Sequence, residues 1–423
     1  MLACASGTVP ATDSSGGSVA SLAATCDSTN GGITLSREFC ALVVHDSLGR
    51  ARHMAVAENG DVFVAVNNTR QARGGIVVLR PRAGSGMLEE VGRFGENGGT
   101  GIAHHGEHLW FGTNEAVLRY RIQRGAAQPS GAPDTIVSGL PSDRSHAAKS
   151  IAVTEDGTLF VNIGSPSNAC QQQDRQPGVP GIDPCPELAT RAGIWRFDAN
   201  RTGQRQADGE RFATGLRNVV ALELGPDGAL YGAQHGRDQL HTNWPAMYTE
   251  QQSAEQPSEE FVRIEQGDDY GWPYCYHDNE LDRKVLAPEY GGDARRAGRC
   301  DAAKLPLATF PGHWAPNGLA FYTGAQFPPR YRNGAFIAFH GSWNRAPLPQ
   351  AGYKVMFAPM ANGRVTGEPE VFADGFSGAA TLARPGDAEF RPMDVEQSPD
   401  GGLYIIDSVK GRIWKVFWRG DEG

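Results

Sequence analysis

The sequence contains no apolar run of about 18 residues, so no helix of it spans a membrane. It contains no long Lys/Arg tract and carries a formal net charge of -9, which argues against a nucleic-acid partner. No CxxC is present, which disfavours zinc ribbons, thioredoxin-type chemistry and c-type haem attachment. His53, His104, His105 and His108 offer no second ligand at metal spacing on a fixed element, which disfavours a zinc site. Glycine, by contrast, is plentiful at 54 of 423 residues, and most of it separates short apolar runs. That pattern means many tight turns and an all-β fold.

The cysteines after Cys4 fall into three neighbouring couples, Cys26/Cys40, Cys170/Cys185 and Cys275/Cys300. Three local disulfides in an exported protein are the simplest reading, with reduced, buried thiols the alternative; spacing alone does not fix connectivity. Met1-Leu2-Ala3-Cys4 resembles the end of a bacterial lipobox, followed by a Ser/Gly/Ala/Thr-rich stretch suited to a tether. The expected division is therefore a tether over 1–30 and a folded domain over 31–420. The domain is expected in the periplasm, with a lipid anchor at Cys4.

One stretch organises the domain. Residues 217–238 read as a polar pair, a strand, an Asp227-Gly228 turn, a second strand and a polar loop. A two-residue turn returns the chain directly, so Arg217-Asn218 and Gln234-His235-Gly236-Arg237 should emerge at one end. The same hairpin recurs around Asn59-Gly60, His105-Gly106, Asp156-Gly157 and Asp400-Gly401, and with a longer connection between Leu319 and Phe336. Each copy is followed by one or two further strand-like runs. Such repeats predict a six-bladed β-propeller; a β-sandwich would not repeat one hairpin six times. Residues 33–44 should lend a strand to the last blade. Two insertions, 165–191 and 237–311, should form long loops on one face.

In that geometry the first strand of each blade lines the axis. Residues preceding first strands and following second strands gather at one mouth. His53, His146, Lys149, Arg217, Asn218, Asn317 and Arg391 belong there, with Gln234–Arg237 and His340–Arg345. Three arginines, Arg217, Arg345 and Arg391, suit an anionic ligand bearing carboxylates or carbonyls. Pairing with blade carboxylates such as Asp394 or Asp407 is the alternative. A neutral His146 could act as a general base. Trp314 and Trp343 could stack on a planar ring, or pack in the wall.

The ordered motifs then support a resemblance. They are His146, Arg217-Asn218, Gly236-Arg237-Asp238, Tyr270-Gly271-Trp272-Pro273, His313-Trp314-Ala315-Pro316, Gly341–Arg345 and Arg391-Pro392-Met393-Asp394. Over roughly 45–418 the chain resembles soluble sugar dehydrogenases that use pyrroloquinoline quinone (PQQ), nearest the sorbosone- and aldose-dehydrogenase-like branch. The resemblance implies His146 as the base and Arg217 at the reactive quinone carbonyl. It implies Asn218, Arg345 and Arg391 as cofactor contacts, with Trp314 beside them, and the carbonyls of His235 and Gly236 as calcium ligands. The implied partners are a sugar substrate and an external electron acceptor, a quinone or a cytochrome. Departures from the glucose-oxidising members are Met393 in place of an arginine, Ser145 in place of an aspartate, Gly164-Ser165-Pro166 where an aspartate is expected, and His235-Gly236 in place of Gly-Pro. They leave the sugar open. A non-catalytic propeller binding glycans or proteins, and a calcium-dependent lactonase or hydrolase, are the rival readings; the Arg- and His-rich axis disfavours the hydrolase.

Overall fold

A computed structural model describes residues 26–143 and 145–420. Cys4 and most of the expected tether lie outside those residues. Six sheets of four or five strands are arranged as blades, with two extra two-stranded hairpins. Their innermost strands are Ala51–Val56, Gly99–His105, Ile151–Val153, Val219–Leu224, Pro316–Phe321 and Pro392–Gln397. The propeller expectation is met.

The blades adhere because strand alternation gives each sheet two apolar faces, one for each neighbour. Six apolar clusters fill the six gaps between successive blades. One gap packs Phe63, Leu109 and Phe111 between the first and second blades. Another packs Val64, Met393 and Ile406 between the sixth and the first, which closes the ring. The richest aromatic cluster, with Phe39, Phe327, Tyr331, Phe336 and Phe357, joins the fifth and sixth. The N-terminal strand Phe39–His45 pairs with Ile413–Trp418 and so completes the last blade from the start of the chain. A short strand, Thr34–Leu35, adds to the edge of the fifth.

The Asp227-Gly228 hairpin forms, though through a three-residue loop, Pro226-Asp227-Gly228, in place of the expected two-residue turn: the Gly225 amide donates to the Ala229 carbonyl (2.8 Å) and the Gly228 amide to the Gly225 carbonyl (2.9 Å). Gly228 takes a φ of 74°, which Gly tolerates without strain. Leu224 pairs with Leu230 beside the turn and Val219 with Gln234 at the far end. There the Arg217 amide donates to Gln234 Oε1 (3.1 Å) and the His235 amide to the Asn218 carbonyl (2.9 Å). The two polar ends therefore meet.

All three disulfides, Cys26–Cys40, Cys170–Cys185 and Cys275–Cys300, are formed. The second insertion differs from expectation. Strand Glu259–Ile264, the third of the fourth blade, lies inside it and splits it in two. Residues 235–258 leave from the mouth. Residues 265–307 leave next to the Asp227 turn, because Ile264 pairs with Leu230. They run past the outer strand of the third blade, where Asp269 bridges Thr214 in parallel. Their hairpin Cys275–Asp278/Arg283–Leu286 then lies against the start of Glu259–Ile264, held by the Lys284–Glu260 pair. The apolar runs at 259–264 and 308–310 were too short to stand out from a loop-rich stretch.

Candidate functional site

At the mouth, Arg217 and Asp238 form the centre of a buried polar network; they are 4% and 5% exposed. Asp238 Oδ2 accepts from Arg217 Nη2 (3.1 Å) and Arg175 Nη2 (2.9 Å). Its Oδ1 accepts from Asn344 Nδ2 (2.6 Å) and faces His313 Nδ1 (3.5 Å). One carboxylate thus ties the start of the fourth blade, the first insertion, the segment entering the fifth blade and the loop leaving it. These cations hold the Asp238 carboxyl well below its usual range, against the opposing effect of burial. Arg217 also donates from Nε and Nη2 to the Asn168 carbonyl and side-chain oxygen, and from Nη1 to the Gly236 carbonyl (2.8 Å). Of the five N–H groups of a guanidinium, one, on Nη1, is left over.

His146 lies half-buried beside this network. Its φ is 51°, and its Nδ1 donates to the Ser165 carbonyl (2.8 Å). A carbonyl can only accept, so Nδ1 carries the proton and the Nε2 lone pair is open. Burial, and then the charge of Arg217, push its pKa down to about 3, so the ring is neutral at physiological pH. Gly164 permits the approach: a Cβ there would come within 2.5 Å of His146 Cβ and 2.8 Å of Asn218 Oδ1. His235 completes this side. Its Nε2 donates to the Pro316 carbonyl and Asn317 Oδ1, both at 3.0 Å, and its Nδ1 faces Asn218 Nδ2 at 3.5 Å. Burial holds His235 at about 4 and His53 at about 3, and drives His340 well below its ordinary value. These imidazoles are neutral, whereas His313, against the lowering effect of burial, is raised by its contact with the Asp238 carboxylate.

Two guanidiniums there have no ion-pair partner among the described residues. Arg391 donates from Nε to the His340 carbonyl (2.9 Å) and from Nη2 to the Gly341 carbonyl (2.5 Å), leaving Nη1 free. Arg52 donates only to Thr100 Oγ1 (3.2 Å). Burial, and then Arg50, lower Arg52 to about 10, and burial also lowers Arg391. Cations that are part-buried and unpaired favour an anionic ligand.

Two of the expected cofactor contacts are engaged by the protein itself. Arg345 turns into the second insertion. There its Nη1 donates to the Ala254 carbonyl, its Nη2 to Glu255 Oε1 and its Nε to the Pro349 carbonyl. The reason is the helix Glu250–Glu255, started by a Thr249/Gln252 capping box, whose C-terminal carbonyls need donors. Trp314 packs edge-on to Phe339 with Lys354 Nζ over its ring (5.2 Å), which is wall packing. Trp343, 58% exposed on the loop that Asn344 pins to Asp238, keeps its indole open. For calcium, the Gly236 carbonyl is already shared with Arg217, whereas the His235 carbonyl accepts no hydrogen bond among the described residues.

A sequence profile of the TrAA12-like family matches residues 33–418, nearly the whole described chain. The chain belongs to the TrAA12-like family. An uncharacterised protein of Borreliella burgdorferi is 27% identical over 285 residues, covering 66% of this chain and 63% of that one. A pyrroloquinoline quinone-dependent pyranose dehydrogenase of Coprinopsis cinerea is 29% identical over 229 residues, covering 47% of this chain and 28% of that protein. The chain thus spans less than two thirds of either relative's length. The solved holo PQQ domain of the Coprinopsis pyranose dehydrogenase superposes with a TM-score of 0.72 at 18% identity, covering 91% of this chain and 97% of the domain. A calcium structure of Trichoderma reesei carbohydrate-active enzyme family AA12 gives 0.73 at 16%, covering 92% and 97%.

Within this TrAA12-like propeller, sequence reasoning assigned no role to Asp238, Asn168, His313 or Asn344. Asp238 stood in a quoted motif, but nothing in its neighbours announces a four-way tie. Asn168 comes from an insertion without periodicity, so no sequence signal marked it. Arg52, adjacent to His53 at the start of a first strand, was findable by the rule that selected Arg217 and Arg391.

Proposed function

We propose that this protein is a PQQ-dependent oxidoreductase, assisted by calcium, that oxidises a sugar or related aldose at its hemiacetal or aldehyde carbon. Its electrons pass to an external acceptor, a quinone or a cytochrome, in an exported setting where three disulfides persist. One observation carries the reading: guanidiniums without an ion pair among the described residues, Arg391 above all, gather at the same mouth as His146, which is neutral with an open Nε2. PQQ is a planar tricarboxylate with ring carbonyls, and these donors fit it. When bound, it supplies the two-electron acceptor that takes the hydride.

The chain's own groups do the rest. Arg391 Nη1 pairs with a cofactor carboxylate. His146 Nε2 takes the proton of the sugar hydroxyl, and the hydrogen bond to Ser165 keeps that lone pair aimed outward. The remaining Nη1 N–H of Arg217 donates to an oxygen that gains charge, in a site where no reorganisation is needed because Asp238 already fixes the guanidinium. Asn218, 3% exposed, holds the edge of the cradle next to Gly164. Calcium fits less fully: the His235 carbonyl is open, the Gly236 carbonyl is shared, and Asp238 has no oxygen to spare. Calcium takes oxygen ligands, so His235 and Gly236 remain the proposed holders.

The test is reconstitution. Apo-protein is mixed with PQQ, with calcium or with a chelator, and dye reduction is followed over a panel of aldoses. Turnover with calcium, and its loss in His146→Ala with cofactor binding retained, is expected. No quinone spectrum and no turnover would overturn the proposal.

A further inference from the structure

Lys149 has a side chain with no solvent exposure and forms no ion pair among the described residues. Its ammonium donates to two backbone carbonyls, Pro141 O (2.7 Å) and Ala147 O (2.6 Å). These carbonyls lie on either side of His146 in the chain. Burial pushes the amine down to about 8. A buried ammonium satisfied only by carbonyls is costly, and a methionine would fill the same volume without that cost. What methionine lacks is the ability to draw two carbonyls together.

The backbone of Lys149 is itself immobile. Its carbonyl accepts from the Gly101 amide (3.0 Å) of the second blade. The contact is so close that a Cβ at Gly101 or Gly112 would fall 2.4 Å from that oxygen. Lys149 therefore has one end locked to a rigid blade and the other gripping the backbone that carries His146. His146 needs such a grip. It holds a left-handed backbone conformation that a non-glycine residue adopts only when its surroundings impose it. Among the described residues, its ring is anchored on the other side by Ser165 alone.

We infer that Lys149 is a positioning residue for His146: its buried ammonium clamps the carbonyls of Pro141 and Ala147 and so fixes where the His146 ring stands. The inference rests on the reading of His146 as the base. A misplacement of about 1 Å costs on the order of 100-fold in rate.

The test uses the full chain with Lys149→Met and Lys149→Gln, alongside His146→Ala. In apo-protein, diethyl pyrocarbonate modification of His146 is followed by mass spectrometry. Lys149→Met should raise that rate several-fold. After PQQ loading, its cofactor affinity and KM should stay near wild type while kcat falls by roughly 100-fold. Lys149→Gln, which keeps N–H donors on a shorter, uncharged side chain, should fall between. Unchanged modification and unchanged kcat in Lys149→Met overturn the inference. So does failure of both Lys149 variants to fold, because the lysine then serves the blade and not the histidine. If His146→Ala keeps its turnover, the base reading fails by itself, and the modification rates still decide whether Lys149 holds the ring.

Discussion

Replacing Glu223 by glutamine should stabilise the protein at pH 8 and change little at pH 4. Glu223 faces a cavity of about 300 Å³ at the end of the axis away from the mouth, shared with Glu396. Burial raises Glu223 from 4.5 to about 7. Burial, with the charge of Glu223, drives Glu396 well above its ordinary value, and burial does the same to Asp394. The folded protein therefore holds this proton more tightly than the unfolded chain does. Below pH 4.5 the group is protonated in both states and costs nothing. Between 4.5 and 7 the unfolded chain loses its proton first, and stability falls. Above 7 the penalty is complete. A rise from 4.5 to about 7 corresponds to about 3 kcal/mol. Glu223 keeps some contact with water and shares protons with its two neighbours, so about 2 kcal/mol is the working figure. Glutamine preserves the acceptor for the Leu224 amide, which Glu223 Oε1 now serves at 2.8 Å. For a chain of this length the unfolding entropy is about 0.8 kcal/mol per kelvin, so the melting point should rise by about 2 to 3 °C at pH 8. Differential scanning fluorimetry of both proteins at pH 4, 6 and 8 reads the difference directly. A shift that is the same at all three pH values, or a less stable variant at pH 8, refutes the argument.

Two further expectations concern the mouth. Arg391→Met should weaken PQQ capture by about 10- to 100-fold, the worth of a charged hydrogen-bond pair, whereas Arg345→Met should lower the melting point and leave capture unchanged; an absorbance titration with the cofactor separates them. Asp238→Asn leaves Arg217 and Arg175 without their shared counter-charge in a buried setting, so it should cost about 3 to 5 kcal/mol in a urea titration, and a loss under 1 kcal/mol would show that the tie is dispensable.

The fold was legible because its signal repeats. Each Asx-Gly or His-Gly turn between apolar runs is weak alone, but five of them and a sixth hairpin with a longer connection, in order, demand a ring, and the strand near the N-terminus is the one left to close it. By the same logic Arg217 and Arg391 fall at one end of the axis, since each precedes a first strand, and Arg52, which sequence reasoning passed over, lies at the start of another. That logic could not say which way a side chain turns once there. Arg345 and Arg391 look alike in sequence. Arg345 meets the carbonyl end of a helix whose start Thr249 and Gln252 cap, and Arg391 meets three loop carbonyls, His340, Gly341 and Ser342, with one nitrogen to spare. Nor could periodicity reveal Asn168 or Asp238, whose roles depend on insertions folding back over the mouth.

The axis is polarised, and that polarity separates stability from chemistry. Guanidiniums and neutral histidines occupy the mouth, and carboxyls that retain protons occupy the far end. One strand, Val219–Leu224, links the two: Asn218 precedes it and Glu223 lies near its end. Five residues of extended chain span about 17 Å. Two unit charges that far apart interact by at most about 1 kcal/mol at an effective dielectric of about 20, small beside the burial effect at Glu223 itself, and the open cavity at the far end lowers it further. Glu223→Gln should therefore alter unfolding without altering kcat, KM or cofactor affinity. It also discriminates between two uses of the axis. If protons left the active site through the channel to the far end, removing an ionisable group there would slow turnover. If His146 exchanges its proton at the mouth, as its half-exposed position and open Nε2 allow, turnover in Glu223→Gln stays at the wild-type rate from pH 6 to 8.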